Sequence, residues 1–125
     1  MGARVKLAGS LPSAQLRQAL LGSHLLVVPS FEGFGIVYLE AMAYGVPVIA
    51  TTSGAAREVV TVGETGYLIE PGDSAKLADL LRRLHKNRAH LATMSVAARR
   101  RYDNHVTWQQ SMDAIASWLQ AQVMG

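Results

Sequence analysis

The sequence predicts an α/β domain built on a parallel sheet of about four strands flanked by helices. Three observations carry that prediction. Apolar runs of strand length recur at residues 25–28, 46–50 and 67–70, and residues 4–8 alternate with period two. Stretches with helical periodicity lie between them. Glycine or proline punctuates the changeovers. Strand, helix, strand, helix, strand in that order makes the strands parallel and their crossovers right-handed. Ligands of such sheets gather at the carboxyl ends of the strands.

Each element has a local reason. After the alternating run at 4–8, residues 9–13 read as a loop, with Ser13 placed to cap a helix from Ala14 to about Leu21. Gly22 and Ser23 end that helix, and the strand at 25–28 stops at Pro29. Gly33 and Gly35 then bracket Phe34, and residues 36–44 are mostly good helix formers. Gly45 stands at the C-terminal cap position, and Pro47 prevents continuation. The strand at 46–50 leads through residues 51–58 into another helix, and 61–66 is a turn-rich connection. After the strand at 67–70, Asp73 is placed as a cap for a helix in which Leu77, Leu80, Leu81 and Leu84 form a core-facing stripe. A helix over 88–101 sets Leu91, Met94 and Ala98 on one side. The last, over 107–122, aligns Trp108, Met112, Ile115 and Leu119; that face either packs on this domain or stays open. The expectation is one domain over residues 1–125, with 105–125 as a terminal helix.

Composition bounds the function. The chain has 125 residues, half of them hydrophobic and 17% charged, which suits a folded domain with a real core and not a disordered segment. No apolar run reaches membrane-span length, the first residues lack a secretory signal, and there is no cysteine. These features fit a cytoplasmic protein without disulfides or thiolate metal sites. Four histidines (His24, His85, His90, His105) show no metal-ligand spacing. Net charge is +3, with basic runs at 82–88 and 99–101. Two readings of those runs stand: solvated faces of surface helices, or attraction to an anionic partner, either the headgroups of a peripherally contacted membrane or nucleic acid. The runs lack interleaved aromatics, which argues against nucleic acid as a partner.

The stretch from Pro29 to Ala50 carries the chemistry. A helix that begins after Gly35 points unpaired N–H groups, and roughly half a positive charge, into the crevice at its mouth. That site suits a phosphate or diphosphate. Glu32 precedes the helix and Glu40 lies in its second turn, seven residues apart in the pattern Glu-x7-Glu. Like charges repel, so these carboxylates do not bind phosphate. They suit hydroxyl donors such as a vicinal diol. One acceptor for sugar hydroxyls, one for a ribose diol and a helix N-terminus between them fit a nucleotide-diphosphate sugar. The plainer reading is a common strand–glycine–helix unit in which Glu40 is an exposed helix residue.

Residues 29–48 closely resemble the signature of the family 4 retaining glycosyltransferases of the GT-B fold. That signature runs Pro-Ser, Glu-Gly/Pro-Phe-Gly, four variable residues, then Glu-Ala-Met-Ala-x-Gly-x-Pro-Val. Here a single residue, Phe31, separates the serine from Glu32, where family members more often have two. A later Gly-Gly-x-x-Glu appears as Gly54-Ala55-Ala56-Arg57-Glu58, and Glu58 reads equally as a helix-orienting residue or a binding one. The resemblance implies a Rossmann-like donor-binding domain and no bound metal or cofactor. It implies that Glu32 contacts the transferred sugar, acting as the catalytic residue, and that the backbone of Gly33, Phe34, Gly35 and Ile36 contacts sugar and diphosphate. Glu40 would hold the ribose hydroxyls, and Ser10 and Leu11 would pack on the base through their backbone.

The resemblance also implies what lies outside this sequence. Family enzymes have two Rossmann-like domains, the first of them binding the acceptor, and the second opens with a strand and loop bearing an Arg and a Lys against the diphosphate. The sequence is therefore expected to be most of a donor-binding domain, truncated at its N-terminal side, whose partners are a nucleotide-diphosphate sugar and the acceptor domain. Without the cationic pair it is expected to catalyse poorly or not at all. The alternative is a non-catalytic module of the same fold that binds a nucleotide or a protein partner.

Overall fold

Three of the apolar runs become a sheet. In a computed structural model, which describes residues 5–31, 33, 35–104 and 108–124, strands β1 (Leu26–Val28), β2 (Val48–Thr51) and β3 (Gly66–Ile69) pair in that order, all parallel. Val27 lies opposite Ile49, and Ile49 opposite Tyr67. The helices are α1 (Ser13–Leu21), α2 (Ile36–Ala43), α3 (Ala56–Val59), α4 (Ser74–Lys86), α5 (Arg88–Asp103) and α6 (Trp108–Met124).

The core has two layers because strand side chains alternate between faces. Val48 and Ala50 of β2 join Tyr38, Met42 and Val59 on one side. Ile49 joins Ile69, Leu80, Leu84, Leu91 and Met94 on the other. The central strand β2 is buried throughout, as a parallel strand covered on both faces must be. Helix α5 spans the layers, with Met94 in one cluster and Ala98 in the other.

Helix α2 is closed at both ends by backbone geometry. Gly35 precedes it with φ 73°, and Gly45 follows it with φ 70°. Val46 N–H donates to the Ala41 carbonyl at 3.0 Å and Gly45 N–H to that of Met42 at 2.9 Å. This is a Schellman closure, and it satisfies carbonyls that the helix end leaves free. Asp73 caps α4 as expected, its carboxylate accepting from Lys76 N–H at 3.1 Å. Asn87 caps α5 in the same way, accepting from His90 N–H at 3.1 Å.

Three expectations need correction, and one open alternative is decided. Residues 5–8 form no strand, and Leu7 is 94% exposed; Arg4 lies outside the described residues. The sheet thus has three strands among the described residues, not four. Alternation alone does not make a strand, because its hydrogen bonds come from a neighbour that the local pattern cannot supply. Helix α1 starts at Ser13 itself, with Pro12 before it and no side-chain cap. In α4, Leu80 and Leu84 are buried but Leu81 is 41% exposed, since it lies on the rim of the stripe. In α6, Met112, Ile115 and Leu119 are exposed, so the open alternative for that face is the observed one.

Replacing Met94, which is fully buried, by alanine is expected to destabilise the fold by about 2–4 kcal/mol. Leu81→Ala is expected to cost less than about 1 kcal/mol. Urea unfolding of the two variants beside the parent checks the contrast.

Candidate functional site

Parallel pairing places the carboxyl ends of β1, β2 and β3 along one edge. The segments leaving that edge are residues 29–35, 52–55 and 70–73. The second is tied to β3 and to the third: Thr52 N–H donates to the Ile69 carbonyl at 2.9 Å, and the Thr52 hydroxyl to the Glu70 carboxylate at 3.1 Å. The mouth of α2 opens here.

Gly35 makes that mouth. It is buried and left-handed, and a Cβ built on it would stand 3.0 Å from Val59 Cγ2. An L side chain there meets both backbone strain and α3. The N-cap residue, Gly35, has no side chain to close the first turn of α2, and the first amides of a helix point toward the crevice at its mouth. Tyr38, Ala41 and Met42 are buried on the inner face. Ile36 and Glu40, four residues apart, share the outer one and are both exposed. A carboxylate thus stands one helical turn from a polarised helix end.

Glu40 also lines a cavity of about 340 Å³ between α1, the last turn of α2 and α5. Ser13, Arg17, Tyr44 and Tyr102 line it as well. Among the described residues the ion pairs are Arg83–Asp79 and Arg99–Asp103, so neither Glu40 nor Arg17 is neutralised by one. A larger depression of about 700 Å³ lies at the far end of α2. Its polar groups serve the fold. Arg99 bonds the Ala43 carbonyl and pairs with Asp103, and the Ser95 hydroxyl donates to the Gly45 carbonyl at 2.5 Å. The smaller cavity, beside the unpaired carboxylate, is the better candidate.

The sequence-predicted residues fare unevenly. Gly33, Gly35, Ile36 and Glu40 lie on the loop and outer face just described; Gly33 and Ile36 are exposed. Glu32 and Phe34 lie outside the described residues. Ser10 is exposed and Leu11 half-buried, and neither is among the described residues lining the Glu40 cavity. Ser13, Arg17 and Tyr102 were missed as site residues, because nothing local marks them: a helix start, a surface arginine and a tyrosine of α5. Glu58 is exposed, and its carbonyl accepts from Arg101 at 3.2 Å, so that segment tethers α3 to α5.

The basic runs divide. Arg83 pairs with Asp79 at 2.5 Å, Arg99 with Asp103 at 3.1 Å, and Arg101 binds the Glu58 carbonyl. Several of these cations therefore serve intramolecular contacts. His90 shares a 2.9 Å hydrogen bond with the Tyr67 hydroxyl, and His85 a 3.3 Å one with Arg88. Among the described residues no group of three His, Cys, Asp or Glu converges on a metal position. None of the described helices is long and apolar enough to cross a membrane.

Gly35→Ala is expected to destabilise the chain by about 1–2 kcal/mol or more, from the left-handed backbone alone. Chemical denaturation checks the value, and an alanine tolerated without loss would remove the argument for this turn.

Comparison with known proteins agrees with the geometry. The family model described as "Glycosyl transferases group 1" matches residues 1–101. The chain is 36% identical over 126 residues to a GDP-mannose-dependent monoacylated alpha-(1-6)-phosphatidylinositol monomannoside mannosyltransferase of Corynebacterium glutamicum, covering 94% of this chain and 33% of that protein. Among solved structures, a sucrose-phosphate synthase from Thermosynechococcus elongatus superposes with TM-score 0.85 at 31% identity, over 99% of this chain and 32% of that one. Anabaena Alr3699/HepE in complex with UDP superposes with TM-score 0.75 at 29% identity, over 83% of this chain and 29% of that one. The chain thus spans about a third of the length of these relatives.

Proposed function

The chain belongs to the glycosyl transferases group 1 family, and from that premise we propose that it binds the nucleoside diphosphate of an activated sugar. In a larger enzyme it would serve retaining transfer of a hexosyl group from a UDP-, GDP- or ADP-sugar to an acceptor hydroxyl. One observation carries the reading: a helix mouth whose N-cap residue, Gly35, has no side chain, with the carboxylate of Glu40, in no ion pair among the described residues, one turn away on the same outer face. The complexes of HepE with UDP and with UDP-glucose support a donor of this class.

The roles follow from the chemistry of each group. The first amides of α2, with Gly33 and Gly35 before them, take the diphosphate, whose charge the helix end favours. Glu40 accepts from the two ribose hydroxyls, as a carboxylate accepts from paired donors. Glu32, by its place in the signature, holds hydroxyls of the transferred sugar. When the glycosidic bond to the diphosphate breaks, negative charge grows on the leaving phosphate oxygen. The helix end stabilises that charge in place, without reorganisation. A second domain brings the acceptor hydroxyl to the sugar, and further cationic groups on the diphosphate come from outside these residues. The chain by itself accordingly binds donor but transfers sugar poorly.

Calorimetric titration with UDP, GDP and ADP tests the proposal. Glu40→Ala is expected to weaken binding by about 1.5–3 kcal/mol, the size of hydrogen bonds to a charged group. Unchanged affinity would take Glu40 out of the site. Sugar transfer that appears only when a separately produced acceptor domain is added would distinguish an enzyme part from a non-catalytic binding module.

A further inference from the structure

The amino edge of the sheet carries a surface that the proposed donor site does not use, and we infer that this surface docks the chain on an anionic lipid bilayer. The inference goes beyond the proposed function and does not rest on it.

Charge in this chain is segregated. Residues 80–102 hold seven of its twelve Lys and Arg and none of its nine Asp and Glu. That stretch carries +7 and the remainder −4, which together make the net +3. It comprises the second half of α4 and nearly all of α5. Arg83 and Arg99 pair with Asp79 and Asp103. Arg82, Lys86, Arg88 and Arg100 are exposed and enter no ion pair among the described residues.

The fold gathers part of this charge on one face. Arg88, Ala92, Val96 and Arg100 recur every four residues and make a stripe along α5. A shallow depression of about 390 Å³ borders Arg88 and Ala92, with His24 across from them. The depression of about 700 Å³ borders Val96 and Arg100, with Leu21 across from them. Both are lined by Gly45 and Ser95, so they form one continuous surface. His24 and Gly45 stand just before β1 and β2 begin, which puts this surface at the amino edge, opposite the mouth of α2. The Arg88 guanidinium lies 3.3 Å from His85 Nδ1, which brings the last turn of α4, with Lys86, alongside.

The spacing of the cations selects the partner. Arg88 and Arg100 are about 18 Å apart along the helix, so they do not converge on a single anion. They match a field of anions. Leu21 and Val96, on the same surface, are 61% and 60% exposed. Apolar side chains among cations suit the boundary between headgroups and acyl chains. The phosphate backbone of a nucleic acid would take the cations and leave the apolar pair in water. A chain docked in this way keeps the carboxyl edge of its sheet turned to solution.

The test is flotation of the chain with vesicles of phosphatidylcholine alone or with about 30% phosphatidylglycerol added, at low and at high salt. The parent is expected to bind the anionic vesicles about tenfold or more tighter than the neutral ones, and salt is expected to release it. The double variant Arg88→Gln, Arg100→Gln should bind about 25-fold more weakly, near fivefold for each cation. Lys6→Gln with Arg57→Gln removes the same charge from exposed positions outside the stretch, and is expected to cost about threefold or less because distant charge is screened. Circular dichroism confirms that each variant folds. Equal losses in the two double variants would mean that net charge alone attracts the chain, and would overturn the inference. So would a parent that does not distinguish the two kinds of vesicle. Binding to a DNA duplex that depends on Arg88 and Arg100, without binding to vesicles, would make the face a nucleic-acid contact and overturn it as well.

Discussion

Everything at the site depends on how firmly α2 is held between the sheet and α5. Eight residues make a short helix, too short to be stable by itself. Its inner face supplies Tyr38, Ala41 and Met42 to the core, each without exposed surface. Its two ends are set by left-handed glycines, and Arg99 and Ser95 of α5 bind the carbonyls of Ala43 and Gly45 at its exit. Burial fixes the rotation of the helix about its axis, and the bonds at its exit fix its position along that axis. The outer face, with Ile36 and Glu40, is then presented at the carboxyl edge of the sheet.

That constraint makes a weak chemical signal usable. One carboxylate on a flexible surface helix binds hydroxyls poorly, because ordering the side chain offsets the hydrogen bonds it forms. On a helix locked by its neighbours less ordering remains to be done when ligand arrives. The helix mouth works in the same way. Its amides are held by the turn at Gly35, where any larger residue would press on Val59. The proposed arrangement, with an anion at the helix end and hydroxyls at the acidic side chain, draws on family membership, parallel topology and this geometry.

Much of the fold was legible because the relevant signals are local. Gly45 and Pro47 ended α2 where expected, Asp73 capped α4, and Leu91, Met94 and Ala98 faced inward. Each depends on a turn, a cap or a helical period, which a few adjacent residues specify. The failures share the opposite property. The alternation at 5–8 lacked a neighbouring strand, and Leu81 matched the stripe in period but sat at its rim. Neither outcome is encoded within the segment itself.

The site divides along the same line. Sequence alone determined that a glycine turn, a helix mouth and a carboxylate one turn later would occur together, since all fall within the signature and helical geometry spaces them. Tertiary structure alone decided that Arg17 and Tyr102 would join Glu40 around one cavity. The physical reason is packing: α1 and α5 meet α2 through burial of apolar faces, and burial specifies how much surface is covered, not which distant polar residues arrive at its margin.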